Sequence, residues 1–182
     1  MLIANQKRKE NIAEYLLYMW QVEDTIRANQ LDIDLIQRNI IDRFDQPEEV
    51  KKEIRDWYEN LIEMMRIENK IAGGHLQINK NVIIELSDLH QQLLKSSKEP
   101  FYTAAFYKTL PYIVELRSKA GEDKVGELET CFLALYGVLM LRLQGKEVSA
   151  ETMSAVKEIS TFLAILAEKY RQVKNGELQL ED

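Results

Sequence analysis

Apolar residues recur at helical spacing along nearly the whole chain, which predicts helices almost throughout. The first runs from about Asn5 to Ala28. Ile12, Leu16, Met19, Trp20 and Ile26 form one stripe on it, and Tyr15, Tyr18 and Val22 form a second. A helix with two apolar strips is either central in a core or half of an interface. A short second helix, about Asp32 to Phe44, carries Ile33, Ile36, Ile40 and Phe44 on one face, with Asp32 placed to cap its start. Pro47 opens the third helix, where a missing N–H costs nothing. Its stripe of Val50, Ile54, Trp57, Leu61, Met64 and Ile71 runs up to Gly73-Gly74, which should stop it. The fourth, about Asn79 to Lys95, aligns Val82, Leu86, Leu89 and Leu93, and its short joint to the third implies an antiparallel hairpin.

Pro100 starts the fifth helix, striped by Phe106, Leu110, Ile113 and Val114. Pro111 inside it should kink or break it, and Ala120-Gly121-Glu122 should close it. The sixth, about Asp123 to Gln144, is apolar nearly all round from Cys131 to Leu141, which places it in the middle of a bundle. Ser149 caps the seventh, which runs to about Lys174 and ends at Gly176. The expected fold is therefore all-α: one domain over residues 1–175, a bundle of about seven antiparallel helices with a central apolar sixth. Residues 176–182 should form a flexible acidic tail.

Composition agrees with this pattern. Gly 7 and Pro 3 in 182 residues leave too few turn residues for a β-rich fold. Lys+Arg 24 against Asp+Glu 30 gives a net charge of −6, which argues against a nucleic-acid or anionic-membrane surface. The basic run Lys7-Arg8-Lys9 reads as the solvated start of a helix. One cysteine excludes a disulfide framework and a cysteine-based zinc site. The longest charge-free apolar run, Cys131 to Leu141, falls short of the ~20 residues that span a bilayer. The start of the chain has no signal-peptide pattern. A soluble cytoplasmic protein with no membrane partner is expected.

The familiar catalytic motifs are absent: no P-loop, no GxGxxG, no HExxH and no GxSxG. Cys131, amid leucines, reads as inert filler. The informative residues are polar ones on apolar faces. Glu23 falls beside Met19 and Trp20, and Arg27 follows on the same side. Glu68 lies in line with Leu61 and Met64, and His90 sits beside Leu86 and Leu93. Arg117 and Arg142 occupy stripe positions late in their helices. Each needs a partner if buried. Either they pair as structural ion pairs, or Glu23, Arg27, Glu68 and His90 converge on a ligand pocket between helices. Glu53/Asp56 and Glu85/Asp88 share the ExxD spacing and, with Glu59 and Glu63, offer a metal set, but Glu59 and Glu63 lie opposite the stripe of Leu61 and Met64 and Asp88 lies well away from Leu86 and Leu93, so these acids read as solvated. No metal, cofactor or catalytic residue is assigned. His75, after Gly73-Gly74, reads as a residue that helps terminate the third helix. Tyr102, Tyr107 and Tyr112 fall on different sides of the fifth helix, so some face solvent, another helix or a partner.

The opening from Ala4 to Asp24 (ANQKRKENIAEYLLYMWQVED), with Trp20 and Glu23 its most specific part, resembles a domain-of-unknown-function family of small, soluble, helical bacterial proteins. The resemblance implies an all-α fold over the whole chain. It carries over no activity, cofactor or site residue. The expected function is a non-enzymatic cytoplasmic protein acting through protein–protein contact, as a homodimer or with another protein. The alternative is a small-ligand binder or metal-dependent hydrolase with a polar pocket between helices.

Overall fold

Asn11 divides what reads as one long first helix. Its side-chain Oδ1 accepts the Ala13 N–H at 3.0 Å, the arrangement of an N-cap, so a new helix starts at Ile12. The computed structural model describes residues 2–119 and 125–180. Among these residues the fold is all-α, with helices and no strand. The chain's contacts fall into two compact units. Unit 1 is Met1–Glu10 with Glu14–Val82, and unit 2 is Asn11–Ala13 with Ile83–Asp182.

Unit 1 holds α1 (Leu2–Glu10), nearly all of α2 (Ile12–Ala28), α3 (Ile33–Asn39), a 3-10 turn (Ile41–Arg43), α4 (Glu48–Ile67) and the first part of α5 (Gln77–Lys95). Both apolar strips of α2 are inside: Leu16, Met19, Trp20 and Ile26 are buried, and so are Tyr15 and Val22. Of the two roles open to a doubly apolar helix, α2 takes the core. Asp32 caps α3 as expected, its Oδ1 accepting the N–H groups of Asp34 at 2.8 Å and Leu35 at 3.2 Å. Before it, Gln30 and Leu31 both take the left-handed region, with φ of 58° and 56°. The Leu31 carbonyl there accepts Arg66 Nη2 at 3.2 Å.

α4 stops earlier than the sequence implies. Asn69 takes φ 55°, and the Lys70 N–H closes back on the Met65 carbonyl at 2.7 Å. Asparagine supplies the left-handed C-terminal residue that was expected from glycine. Ile71 therefore lies in an exposed loop, not on the helix stripe, and Gly73-Gly74 fall well past the helix end.

Unit 2 holds the rest of α5, then α6 (Pro100–Lys119), α7 (Glu127–Leu143) and α8 (Ala150–Lys174); α6 and α7 both pack on α8 and on each other. Tyr102, Phe106, Ile113, Phe132, Phe162 and Leu166 are core residues. α6 runs through Pro111 without a break. The carbonyl deprived of its N–H partner belongs to exposed Tyr107, where water can satisfy it. Residues 120–124 lie outside the described residues, and with them the expected end of the fifth helix and start of the sixth. α7 is not central. Leu128, Cys131 and Phe132 are buried, but Leu133 is 42% exposed, Leu143 is 69% exposed and Gly137 is open. Ser149 Oγ caps α8 through the Thr152 N–H at 3.2 Å. Gly176, at φ 73°, follows the end of α8, and the N–H groups of Glu177 and Leu178 fold back on the Gln172 carbonyl. The last tail residues, 181–182, are also outside the described residues. No helix among the described residues is long and apolar enough to cross a membrane.

The left-handed Gln30 is exposed, so glycine can replace it without losing packing. Gln30→Gly should raise stability by about 0.5–1 kcal/mol, because glycine takes this backbone region without a Cβ penalty. Denaturant titration of the two proteins checks it. A loss of stability would contradict the strain argument.

Candidate functional site

Glu23 falls on the inner side of α2 with Met19 and Trp20, and its side chain has no exposed surface. A carboxylate in that place is tolerated only if the protein replaces its water. Three donors do so. His75 Nδ1 lies 2.6 Å from Oε2, while Oε1 accepts the Leu76 N–H at 2.9 Å and Asn79 Nδ2 at 2.7 Å. The His75 ring stacks on Trp20, with centroids 4.1 Å apart and planes 11° from parallel. Arg27, one turn beyond Glu23, binds the same segment. Its Nε donates to the Lys70 carbonyl at 3.2 Å and its Nη2 to the Gly74 carbonyl, while Nη1 pairs with Asp24 at 2.7 Å. Glu68, just past the end of α4, accepts the Gln77 N–H at 2.7 Å.

Three of the four pocket candidates, Glu23, Arg27 and Glu68, thus converge on one object: the segment between α4 and α5. Most of their polar contacts go to its backbone and to His75, with Asn79 and Asp24 taking the rest. His75 does not terminate α4; it is the partner of Glu23. The imidazole is held by a buried carboxylate at Nδ1, which sets its orientation and leaves Nε2 as the atom available for chemistry. Nε2 has no hydrogen-bond partner among the described residues and is not a buried atom; 21% of the side chain is exposed.

His90, the fourth residue, belongs to unit 2. It is 2% exposed, with Nδ1 at 2.6 Å from the Tyr102 hydroxyl and Nε2 at 4.0 Å from Glu127. Phe106, Tyr102 and Phe162 present their rings edge-on or tilted to it. Burial pushes its pKa down to about 4 and pushes the Tyr102 hydroxyl up, so both are neutral at pH 7. The protonated hydroxyl can then donate to Nδ1, leaving the proton on Nε2, directed toward Glu127. Nε2 has no closer partner. Cys131 is buried too, its thiol pushed up to about 12 by burial and then by Glu127. Arg117 keeps a buried Nε without a partner among the described residues, and Arg142 reaches the Met153 sulfur at 3.3 Å from the end of α7.

Three of the acids considered as metal ligands are engaged in separate pairs. Glu59 pairs with Arg55, Glu63 with Arg66, and Glu85 with Tyr170 and Lys174. Among the described residues no three of His, Cys, Asp and Glu gather as metal ligands. Unit 2 also carries a groove of about 310 Å³ between α6, α7 and α8, lined by Tyr112, Leu116, Leu133, Val138, Leu141 and Val156.

Sequence reasoning reached Glu23, Arg27 and Glu68 because helical phase alone puts them on inner faces. It missed His75 and Asn79. The available signal was the carboxylate itself: Glu23 had no sufficient donor on its own helix, so donors had to arrive from elsewhere.

The chain belongs to the family described as Domain of unknown function (DUF4924), whose model matches residues 1–177, so the resemblance carried by residues 4–24 is family membership. No curated protein and no solved structure matches the chain.

Glu23→Ala removes the acceptor of three donors and should cost about 3 kcal/mol or more. Hydrogen exchange should show the Leu76 amide losing its protection first. Equal stability of the two proteins would refute the role assigned to the carboxylate. His90 predicts a pH effect of definite sign. Its folded pKa, about 4, lies below the ordinary 6.5. The unfolded chain therefore binds the proton first, and stability is full above pH 6.5 and falls as pH drops toward 4. Denaturation across that window should show wild type losing more stability than His90→Leu. Parallel curves would contradict it.

Proposed function

We propose that this family member is a cytoplasmic, non-enzymatic helical protein that acts through protein–protein contact, with a second copy of the chain as its partner. One observation carries the reading: unit 2 leaves an apolar surface on α6, α7 and α8 that its own helices do not cover. Groove-lining Leu133 on α7 is itself 42% exposed. Exposed apolar surface gathered in this way marks interaction sites.

Gly137 supports the same reading. Glycine inside a helix costs about 1 kcal/mol against alanine. A Cβ at this position would meet nothing within 4 Å, so no packing inside the chain accounts for the glycine. A backbone arriving from outside would. The second copy is favoured as partner by charge. The groove rim mixes Glu115 and Glu151 with Lys119, and Glu115 is already paired with Lys119 at 2.5 Å. The rim's two acids against one lysine leave a net of only one negative charge per copy, so two copies meet there with little like-charge repulsion.

Gel filtration with light scattering tests the reading. The wild type should show twice the 21.3 kDa chain mass at high protein concentration. Gly137→Arg, which gains helix propensity while filling the groove, should be a monomer of unchanged helicity. A wild-type monomer over the whole concentration range would sink the proposal.

A further inference from the structure

We propose that His75 is a phosphoryl-accepting nucleophile in unit 1, a site independent of the groove on unit 2, and that it takes its phosphoryl group from a small acyl phosphate. Three observations converge on Nε2. The buried Glu23 carboxylate holds Nδ1 at 2.6 Å and is itself fixed by Leu76 and Asn79, so the ring is pre-oriented. Such a hydrogen bond stabilises the positive charge the ring acquires when Nε2 forms a bond. The stack on Trp20 fixes the ring plane. Among the described residues His75 Nε2 makes no hydrogen bond, and 21% of the side chain is exposed.

The surroundings select an anionic electrophile. Lys70 makes no ion pair among the described residues, and its Nζ lies 3.9 Å from where a Cβ on Gly74 would stand, one residue before His75. Backbone N–H groups of residues 71–75 donate to no group among the described residues. Gly73 faces open space, so a phosphoryl group can approach the loop closely. The guanidinium of Arg27, on the Gly74 carbonyl, has its charge offset by Asp24, which leaves Lys70 as the cation free to meet the phosphoryl oxygens. The other histidine cannot compete: His90 is 2% exposed and lies in the aromatic core of unit 2.

In the step itself the Nε2 lone pair forms a P–N bond as the P–O bond to the acyl oxygen breaks. That electron pair leaves with the carboxylate product. The Nδ1 proton stays on the ring, shared with Glu23, and the carboxylate balances the charge of the phosphorylated ring. Nothing is oxidised or reduced.

The full chain is incubated with acetyl phosphate and analysed by intact mass and fragment sequencing under alkaline conditions, where a P–N bond survives. One phosphoryl group on His75, lost on mild acid treatment and absent from His75→Gln, is the expected result. Lys70→Met, a surface change that leaves the fold intact, should slow labelling about tenfold or more. Glu23→Gln should slow it as well; Lys70→Met and His75→Gln keep the test decisive should Glu23→Gln fail to fold. The native chain should also react faster than the same chain in urea. No labelling, labelling that persists in His75→Gln, equal rates for wild type and Lys70→Met, or equal rates in native and urea-unfolded chain would each overturn the proposal.

Discussion

A carboxylate that no water reaches must be solvated by the protein, and that requirement, met at Glu23, organises unit 1. An apolar side chain at this point of α2 would accept many neighbours. Glu23 accepts only an arrangement that brings donors to both of its oxygens. Those donors stand 52 to 56 residues away in sequence, so satisfying one side chain fixes where the α4–α5 segment lies. Arg27 and Glu68 then tie down the carbonyls and the Gln77 N–H of the same segment. The loop is held by charge-assisted hydrogen bonds, which are directional, where apolar burial is not.

Unit 2 works by the opposite rule. His90 is accommodated by losing its charge, in a nest of aromatic rings that gives it one good partner, Tyr102. Its helices bury their stripes on one another, yet α7 is too apolar for the number of neighbours it has. The excess is left on the surface at Leu133 and Leu143, and the groove with α6 and α8 is its geometric consequence. One unit thus invests polar groups in positioning a loop, while the other presents apolar surface.

What was legible in the chain was local. Asp32 and Ser149 cap the helices they were expected to cap, because an N-cap depends on residues within one turn. Pro47 and Pro100 mark starts and Gly176 an end for the same reason. Tertiary context decided the remainder. Asn69 and the pair Gln30-Leu31 adopt left-handed backbone without glycine, held by contacts no local pattern reveals. Asn11 divides a helix that period alone reads as continuous from Asn5. The apolar wrap of α7 placed it centrally, since composition cannot tell a core neighbour from a missing one. The change of unit falls between Val82 and Ile83, in mid-α5, where no glycine, proline or shift in composition marks it. At the candidate site, phase found the buried acid but not the histidine, because His75 comes from a loop that has no period.

Cys131 gives this architecture a property of its own. It is the chain's single thiol, it lies in unit 2, and burial holds it protonated far above neutral pH. A thiol-directed reagent sees it only when that unit opens and water reaches it. The molecule therefore carries an intrinsic clock. The rate at which its one sulfur reacts counts the breathing of the aromatic core around His90, and unit 1, having no cysteine, contributes nothing to the signal.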